Sequence, residues 1–561
     1  MKAVALCCIV FFVALFVYRS NDGYLYTYDS APTSLFIFNL LQHHTFAFDS
    51  FRDGYFYGHG AAYVFAQAPN GHLAPIFPIG TALFTAPIFL FDYARAITTA
   101  PFPDITSLAF EPARLGYEKD AAAIVGAAAA VVFFSCARLV ATTPIALLTT
   151  IAFAFGTQMW TIGSQALWQH GTINLITLAM TYALLRATRA RTGKGSNAFT
   201  SWLVFAGLCG GFLPVVRPTA TLFLLAGFAF ACRRGRRDAW PFLAGAIVGI
   251  APGIIWNVAV FHSIVGGYSV DTGSYAFTLR QAGTGLAGLT ISPSRGLVVY
   301  TPLVLLSIVG AARAARSTSA DARLLVFLAI AAAFTIVNYS FYESWIGGSC
   351  FGPRFLTDVS SVGALLLAYA LSGRDVRRRD GRSALAFNAA FALALCYCIG
   401  VQVAGANGEP KSAWSDVPVD AGQHPERVWQ TSDTQIERDV LATYRLWRSN
   451  PVYTATYPAG FHGLVLAVRR GPRGLPEPRH TLTFAPGEAA DVTALAANVG
   501  PSRWYGYESG VYFGQARVRV RVYAGDGSEV SESYLYIAGS PQAAERTSAL
   551  GTLRAPATPG N

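Results

Sequence analysis

The earliest part of the sequence that could do chemistry surrounds an acidic residue. Asp29 stands shortly after an apolar run that ends at Tyr18, and a second apolar stretch follows it to Leu41. A carboxylate held at the level of the lipid headgroups could serve as a general base or a metal ligand toward a phosphate that a lipid carries. The alternative is structural, because Asp29-Ser-Ala-Pro32 is also a reasonable helix start that Asp29 would cap.

A second set of polar residues occupies the segment 341–358. It combines glycines and aromatic residues with Glu343, Trp345 and a single arginine, Arg354. A loop of this composition between two helices suits an anion bound by a guanidinium group and by exposed backbone amides. The alternative is a tight turn in which Arg354 pairs with Glu343 or Asp358.

Three more ionisable residues stand at the ends of apolar runs. Arg217 lies between two such runs, Arg295 lies just before another, and His170 follows the tryptophan-containing stretch 160–168. Tryptophans at this depth are expected as an interfacial belt. Ionisable groups at membrane depth usually face a cavity, so His170 and Arg217 are candidates for lining one.

The composition indicates what must position these residues. The chain has 561 residues, of which 53% are hydrophobic and 13% charged, whereas soluble domains carry about 25% charged residues. Apolar runs long enough to cross a bilayer as helices recur up to residue 404. The candidate membrane segments are 3–18, 75–91, 121–140, 143–159, 168–187, 200–216, 218–232, 240–260, 296–313, 323–340, 358–372 and 384–404. We therefore predict an α-helical polytopic membrane protein with about 11–13 transmembrane helices, the first of them retained rather than cleaved as a signal peptide.

Short arginine-rich clusters predict the orientation. They fall in 186–197, 233–238, 313–323 and 373–383, and basic clusters at helix ends mark the cytoplasmic side. The other side then receives 19–74, 160–168, 262–295, 341–357 and everything after residue 404. One inconsistency remains, because five apolar segments precede the cluster at 186–197 where an even number is required. Either 75–91 is re-entrant or interfacial, or a later segment is wrongly assigned.

After residue 404 the pattern changes. The segment 405–450 is polar and predicts a linker with an amphipathic helix over 430–448. Strand-like alternation over 461–469, 479–485, 516–523 and 530–538 predicts a small all-β, sandwich-like domain over 451–550. The segment 551–561 is predicted to be disordered.

Several classes of function lack support. The net charge of +11 comes from basic clusters between apolar runs, so it indicates membrane topology, with possible contact to anionic lipid, rather than nucleic-acid binding. No nucleotide-binding loop, dinucleotide fingerprint, metalloprotease motif or Cys/His zinc spacing is present in the sequence. We therefore expect no nucleotide cofactor.

In the order of these features the chain resembles the GT-C superfamily of polytopic glycosyltransferases that use lipid-linked sugars, such as protein O-mannosyltransferases and aminoarabinose transferases. The resemblance covers 1–404. Asp29 holds the place of the family's acidic residue in the first outer loop, and His72-Leu-Ala-Pro75 holds that of a basic residue followed by prolines. The strings Ser292-Pro-Ser-Arg295-Gly-Leu-Val-Val-Tyr300-Thr-Pro302 and Trp345-Ile-Gly-Gly-Ser-Cys-Phe-Gly-Pro-Arg354-Phe resemble bacterial members.

The resemblance implies a specific chemistry. A sugar would pass from a polyprenyl-phosphate donor to a glycan, lipid or protein acceptor, with inversion, on the periplasmic or extracellular side of a plasma (bacterial inner) membrane. Asp29 would act as the base, and Arg354, Arg295, Arg217 and His72 would hold the donor phosphate. Tyr28, Asp49, His170, Glu343 and Trp345 would line the cavity or contact the acceptor. Because Asp29 is followed by Ser30 where mannosyltransferases often have glutamate, dependence on a divalent cation is left open.

Two other functions compete with this one. The first is a transporter or flippase for a lipid-linked glycan, although the sequence shows no internal repeat between 1–200 and 200–404. The second is a non-catalytic scaffold or glycan-binding protein, in which Trp504-Tyr-Gly-Tyr507 of the β domain would stack on sugar rings. Core packing is the alternative interpretation of those aromatic residues.

Overall fold

The computed structural model describes residues 2–21, 23, 25, 27–54, 62–190, 196–270, 276–372, 381–448, 462–471, 482–511, 515–524 and 526–557. The chain divides into two compact units, one of Met1–Gly347 with Gly352–Gln402 and one of Gly348–Phe351 with Val403–Asn561. The first is helical and the second carries a β-sheet, so the predicted fold class, a polytopic helical protein with a small all-β domain, is confirmed.

Helices build nearly all of the first unit. They are α1 Lys2–Arg19, α2 Ala31–His43, α3 Gly80–Ile97, α4 Glu111–Val140, α5 Thr143–Phe155, α6 Gln169–Ala190, α7 Ser196–Val216, α8 Thr221–Arg234, α9 Arg236–Phe261, α10 Ala282–Ile291, α11 Leu297–Tyr300, α12 Val304–Ala315, α13 Ala320–Ser340, α14 Ser360–Ser372 and α15 Gly381–Ser412, which continues into the second unit. A short hairpin, β1 Phe65–Gln67 with β2 Leu73–Pro75, lies in the segment predicted to be the first outer loop.

Six stretches within the described residues are long and apolar enough to cross a membrane. They are Leu108–Val140, Ala198–Val216, Arg236–Phe261, Ala320–Ser340, Arg354–Ser372 and Leu385–Pro410. Three shorter apolar helices are Ala3–Arg19, Thr143–Phe155 and Val304–Ala315. The predicted total of 11 to 13 crossings includes such shorter helices and stays a prediction.

Glycines allow the closest helix pair to form. A Cβ added to Gly211 of α7 would stand 2.0 Å from the carbonyl oxygen of Ala246, and one added to Gly249 of α9 would stand 2.2 Å from that of Leu208. The two backbones are therefore in direct contact. Each helix presents glycines four positions apart, the spacing that lets apolar helices approach closely.

Contacts at helix ends place described residues of two arginine-rich clusters, 186–197 and 313–323, on one side of the helical unit. Arg189, near the end of α6, donates to the carbonyl of Leu139 at the end of α4 at 2.5 Å, and it pairs with Asp321 at the start of α13 at 2.7 Å. Arg313 of α12 donates to the carbonyl of Ala370 in α14 at 2.5 Å. Since α13 follows directly after α12, the ends of these five helices lie on the same side.

These contacts also bear on the odd number of early segments. Since α4 and α6 end on the same side, α5 and the irregular stretch 156–168 must return the chain between them. The helices α1, α4, α5 and α6 then give the even number of crossings that the sequence requires. Helix α3, which covers most of the segment 75–91, contains Asp92 and Arg95 and is not among the stretches with membrane-spanning character. Because α6 is not among those stretches either, a re-entrant or interfacial role for 75–91 stays a prediction.

Three segment boundaries require correction. The segment 296–313 is divided into α11 and α12 at Thr301-Pro302, because proline lacks the N–H that a continuous helix needs. A helix, α10, occupies 282–291, which the sequence places in an outer loop. The strand β2 and the turn after it occupy the start of the segment 75–91.

The second unit contains a five-stranded antiparallel sheet in the order β3-β4-β7-β6-β5. Its strands are β3 Gly463–Arg470, β4 Ala489–Asn498, β5 Arg517–Tyr523, β6 Glu529–Ile537 and β7 Arg546–Arg554. A helix, α16 Gln435–Trp447, precedes the sheet. The described strands of this unit form one sheet, so a sandwich stays a prediction. Strand β7 includes residues 551–554, the first residues of the tail expected to be disordered, and this corrects the predicted boundary. The segment 479–485 lies partly outside the described residues, and its described part is not a strand.

Candidate functional site

Asp29 forms an ion pair with Arg354. Its Oδ2 lies 2.7 Å from Arg354 Nη1, and its Oδ1 accepts a hydrogen bond from the Tyr63 hydroxyl at 2.8 Å. Helix α2 begins after Ser30 without a side-chain cap, so Asp29 does not cap that helix. The carboxylate instead faces residues from two other parts of the helical unit.

A buried polar network on α4 fixes the loop that carries Asp29. The two carboxylate oxygens of Glu118 accept from the hydroxyls of Ser30 and Ser34 at 2.5 Å each. Arg114, fully buried, pairs with Glu118 at 2.6 Å and with Glu111 at 2.5 Å. Buried charges persist only where partners satisfy them, and here the partners are the residues next to Asp29 in sequence.

The neighbouring Lys119 holds the beginning of the same loop. Its ammonium group donates to the backbone carbonyls of Asn21 at 2.5 Å and Gly23 at 2.8 Å. Helix α4 has 30 residues, a length of about 45 Å at the rise of an α-helix, against the roughly 30 Å of a hydrocarbon core. Its polar first turns can therefore extend beyond the apolar layer and organise the outer loop.

Arg354 begins a short 3-10 helix, Arg354–Val359, that leads into α14. Its guanidinium group lies 4.9 Å from the ring centre of Trp168 and 5.1 Å from that of Phe355. The turn before it depends on Gly352, which has φ +64° and whose Cβ, if present, would stand 2.6 Å from the Tyr300 ring. Only glycine fits this turn without strain.

Arg217, His170 and Asp358 form a second polar group. His170 Nδ1 lies 2.6 Å from Asp358 Oδ1, and Arg217 Nη1 lies 3.1 Å from His170 Nε2 and 3.9 Å from Asp358 Oδ2. This arrangement fits a neutral imidazole that donates to Asp358 from Nδ1 and accepts from Arg217 at Nε2. Tyr339 adds a hydroxyl at 3.3 Å from Asp358 Oδ2.

The two polar groups meet at one aromatic ring. The guanidinium of Arg217 lies 5.2 Å from the centre of the Phe355 ring, and that of Arg354 lies 5.1 Å from it. Two permanent positive charges are thus held close together, with Asp29 paired to one and Asp358 near the other. Such a pair of arginines can bind an anion that replaces a carboxylate.

Other predicted site residues have different surroundings. Arg295 is fully buried, and it donates to the carbonyl of Ile346 at 2.9 Å and to that of Ser294 at 2.8 Å, so it joins two loops of the helical unit. Trp345 is buried against Gly288 of α10. Glu343 is exposed, and its N–H donates to the carbonyl of Ala276.

His72 and Asp49 form their own ion pair at the β1–β2 hairpin. His72 Nδ1 lies 2.5 Å from Asp49 Oδ2, and Asp49 Oδ1 accepts from the Leu73 N–H at 2.8 Å. Burial acts to raise the pKa of Asp49, but the hydrogen bonds from Leu73 and His72 outweigh it and hold that pKa below its ordinary value. Both side chains are well exposed, and Tyr63, just before β1, connects this part of the loop to Asp29.

Tyr28 is half-buried and packs on the apolar core beneath the outer loop. Trp168, whose ring contacts Arg354, and Thr357, on the same 3-10 helix as Arg354, each have a buried polar atom (Nε1 and Oγ1) without a hydrogen-bond partner in the part of the chain that the structure describes. Unsatisfied buried donors are costly. A bound oxygen-rich molecule or water would supply the missing acceptors.

An apolar cleft lies between α5, α12, α13 and α14. Its volume is about 260 Å³, and its lining includes Gln158, Ser307 and Ser360. Gln158 is fully buried, and neither its amide nitrogen nor its amide oxygen has a partner among the described residues. Ser360 stands two residues after Asp358, so the cleft begins next to the second polar group.

Sequence reasoning did not select four residues that belong to this site: Tyr63, Glu118, Trp168 and Asp358. The charges of Glu111, Arg114 and Glu118 recur at helical spacing on one face, and that pattern could have indicated the α4 network. Asp358 appeared only as a possible partner in a turn. No sequence pattern around Tyr63 indicates a functional role.

The described residues do not provide the ligands that a divalent cation requires. They contain no group of three or more His, Cys, Asp or Glu side chains able to hold a metal. Both oxygens of Asp29 already accept from Tyr63 and Arg354. The described surroundings of Asp29 therefore do not fit a metal centre, and no step is assigned to one.

The chain is similar to solved structures of one membrane enzyme. The crystal structure of the Archaeoglobus fulgidus oligosaccharyltransferase tethered with an acceptor peptide containing the NVT sequon shares 15% identity at a TM-score of 0.42, over 76% of this chain and 59% of that chain. The same enzyme in complex with Zn and sulfate shares 15% identity at a TM-score of 0.41, over 76% and 57%.

The chain thus spans less than two thirds of the length of these two enzyme structures. No protein-family model matches it, and no curated protein matches it.

Proposed function

We propose that this chain is an inverting membrane glycosyltransferase of the GT-C type. It transfers a sugar from a polyprenyl-phosphate donor to a glycan, lipid or protein acceptor of the cell envelope, on the non-cytoplasmic side of a bacterial inner membrane. The observation that carries the proposal is the ion pair of Asp29 with Arg354, next to a second arginine at the same aromatic ring. A base and a phosphate-binding cation are thereby in direct contact.

The ion pair suggests how donor binding prepares the base. Without donor, Arg354 is bound by the Asp29 carboxylate. The donor phosphodiester carries one negative charge, as the carboxylate does, but it can be bound by Arg354 and Arg217 together, and it therefore competes with Asp29 for Arg354. Arg354 then turns to the phosphate, and Asp29 Oδ2 becomes free to accept a proton.

The transfer is a single displacement at the anomeric carbon. The acceptor hydroxyl oxygen forms a bond to that carbon from the side opposite the phosphate, and its proton passes to Asp29. The bond between the anomeric carbon and the phosphate oxygen breaks, and its electron pair leaves with polyprenyl phosphate. Arg354 and Arg217 stabilise the charge that develops on this leaving group. Direct displacement inverts the anomeric configuration.

Two other features support a lipid-borne donor. The apolar cleft next to Asp358 is suited to a hydrocarbon chain. The buried Trp168 Nε1 belongs to a ring in contact with Arg354, and the buried Thr357 Oγ1 lies on the same 3-10 helix as Arg354, and both can donate to phosphate or sugar oxygens. We propose that Arg295 positions the loops around the site, because it donates to the backbone carbonyl of Ile346. We also propose that His72 and Asp49 stabilise the outer hairpin, because they pair with each other there.

The proposal is tested with purified protein in lipid nanodiscs and a panel of polyprenyl-phosphate sugars. The measured quantity is the release of polyprenyl phosphate, together with the product found by mass spectrometry of an acceptor fraction from the cell envelope. Asp29→Asn should lower kcat by roughly a thousandfold, the order expected for loss of a general base. Arg354→Ala should raise the donor KM and lower kcat.

Matched controls come from the same loops. Asp53→Asn and Arg280→Ala alter exposed residues of the outer loops and should leave both constants unchanged. Wild-type rates for Asp29→Asn in folded protein would refute the assigned base. A protein that moves intact lipid-linked sugar across vesicles without releasing polyprenyl phosphate would instead be the flippase of the competing hypothesis.

A further inference from the structure

The second unit carries a face of alternating arginine and tyrosine residues. Strands β5 and β6 pair so that Arg517 faces Tyr536, Arg519 faces Tyr534 and Arg521 faces Glu532. Directly opposed residues of two strands share one face of a sheet, and alternate residues of each strand do the same. Together with Tyr523, these side chains define what we call the Arg/Tyr face.

The opposite face of the same strands forms the core of the β domain. Val518, Val520, Leu535 and Ile537 pack there with Trp504, which is 7% exposed. Trp504, expected from the sequence as a candidate for stacking on sugars, is therefore a core residue. Packing in the core explains the apolar residues of the alternating pattern. The arginines and tyrosines on the other face take no part in that core.

The Arg/Tyr face is well exposed. The side chain of Arg519 is 53% exposed, and Tyr534 and Tyr523 are 38% and 49% exposed. Arg517 lies between two of the rings, 5.6 Å from the centre of Tyr534 and 5.1 Å from that of Tyr536. A row of exposed aromatic rings, held in place by cations, is a common mark of a binding surface.

The charges of this face identify the kind of ligand. Arg521 Nε lies 3.3 Å from Glu532, Arg519 lies 3.7 Å from the same carboxylate, and Arg521 lies 3.7 Å from Glu529. Three arginines are thus nearly balanced by two carboxylates. A polyanion or an anionic lipid surface would meet the carboxylates as well as the arginines, which weakens its attraction.

An uncharged chain rich in hydroxyl groups meets no such penalty. Hydroxyl groups both donate and accept, so they can use the guanidinium donors and the carboxylate acceptors together. The apolar faces of sugar rings can lie on the tyrosine rings, which offer a flat apolar surface with a polar edge. Alternate side chains along a strand are about 6.8 Å apart, a spacing that lets several sugar units of an extended chain contact the face.

We propose that the Arg/Tyr face is a binding site for a neutral, hydroxyl-rich glycan chain. This site is separate from the transfer chemistry proposed for Asp29, and the binding requires neither donor nor catalysis. Its failure and the failure of the proposed function are therefore distinguishable.

The test uses the full chain in nanodiscs made of zwitterionic lipid. Neutral hexasaccharides of glucose, mannose and galactose are titrated by calorimetry, with hexasaccharides of galacturonic acid and vesicles containing anionic phosphatidylglycerol as the competing probes. We expect at least one neutral oligosaccharide to bind. Tyr534→Ala should weaken that binding roughly tenfold, and Arg519→Ala should weaken it by a similar factor.

The matched control is Tyr444→Ala, which removes an exposed tyrosine of α16 that is not part of β5 or β6 and should leave the affinity unchanged. The proposal is overturned if no neutral oligosaccharide binds, if only the acidic probe or the anionic vesicles bind, or if Tyr534→Ala and Tyr444→Ala bind alike. The Tyr534→Phe variant tests the ring alone and should keep most of the affinity.

Discussion

Arg354 Nη1 lies 2.7 Å from Asp29 Oδ2, although 325 positions separate the two residues in the chain. The pair joins the first outer loop to the start of α14. Arg217 lies at the same Phe355 ring as Arg354, so the pair is part of a larger arrangement of charge. A carboxylate that is bound by a cation in the absence of substrate can be released when a substrate anion binds to both arginines.

Arg217 should contribute to donor binding more than to the chemical step. We expect Arg217→Gln to raise the donor KM roughly tenfold with a smaller effect on kcat, because a second cation is lost from the phosphate site. Arg217→Lys should recover part of the affinity, since charge is retained while the planar fork is lost. The measurement is steady-state release of polyprenyl phosphate.

Arg280→Gln serves as the control for charge, because Arg280 is exposed in an outer loop. Thermal unfolding of each variant checks that the contacts of Arg217 with His170 and Asp358 are not needed for folding. An unchanged donor KM in folded Arg217→Gln protein would exclude this residue from the phosphate site.

Glu118 should position Asp29 without contacting substrate. Glu118→Gln keeps an oxygen for one serine of the loop but loses the charge that binds Arg114 and both hydroxyls. We expect kcat to fall about tenfold, the cost of one charge-assisted hydrogen bond, while the donor KM changes little. If Glu118 had only a structural role, Glu118→Gln would lower the unfolding temperature but would not lower kcat selectively while leaving the donor KM nearly unchanged.

Asp120→Asn is the matched control on the same helix. Asp120 is a third exposed and pairs with Arg19 at 3.0 Å, so its loss should affect neither constant. Equal effects of the two variants would show that α4 tolerates no charge change and that Glu118 has no special role.

Part of this site could be predicted from the sequence. Asp29 and Arg354 were identified by residue type and loop composition, because polar residues outside apolar segments are conspicuous in a chain with so few charges. Their contact could not be predicted, since it depends on how helices distant in sequence pack around Trp168 and Phe355. The hydrogen bond from Tyr63 to Asp29 could not be predicted either, because no motif near Tyr63 indicates a functional residue.

The errors in the fold also have physical causes. The segment 75–91 is apolar enough to suggest a crossing, but β2 and three prolines, at 75, 78 and 87, change its structure. Strand β4 was missed because it is rich in alanine, which has a low strand propensity. The strand β5, with strict alternation, was found to within one residue. An alternating sequence pattern predicts a strand correctly when every second side chain lies on the same face of the sheet.

The hairpin of the outer loop should loosen in acid. The pKa of Asp49 is held below its ordinary value, so the ionised carboxylate stabilises the hairpin at neutral pH. That contribution is lost as the pH falls below about 4 and through the depressed pKa. We expect the Leu73 amide to lose protection from hydrogen exchange over this range.

Exchange is compared with Asp49→Asn at each pH, because intrinsic exchange rates also vary with pH. The ratio of wild-type to variant protection should decrease toward one in acid. A ratio that is already one at pH 7 would mean that the Leu73 hydrogen bond does not depend on the charge of Asp49.

The contact between α7 and α9 should tolerate no added side chain. In Gly211→Val the new Cβ would occupy space within 2.0 Å of the Ala246 carbonyl oxygen, so the helices must separate. We expect a loss of about 1–3 kcal/mol in unfolding free energy, measured by denaturant titration in detergent. Gly400→Val in α15 is the control, since a Cβ there meets nothing within 4 Å, and equal losses would contradict the close approach.

The hydroxyl of Tyr63 should assist Asp29 in a measurable but small way. It donates to Asp29 Oδ1 at 2.8 Å and so holds the carboxylate in one orientation while Arg354 exchanges partners. Tyr63→Phe removes the hydrogen bond to Asp29, and the net contribution of a hydrogen bond is about 0.5–1.5 kcal/mol. We expect kcat to fall roughly two- to tenfold. Tyr444→Phe controls for loss of an exposed hydroxyl elsewhere. If Tyr63→Phe retains full activity, the orientation of Asp29 is set by the α4 network and Arg354 alone.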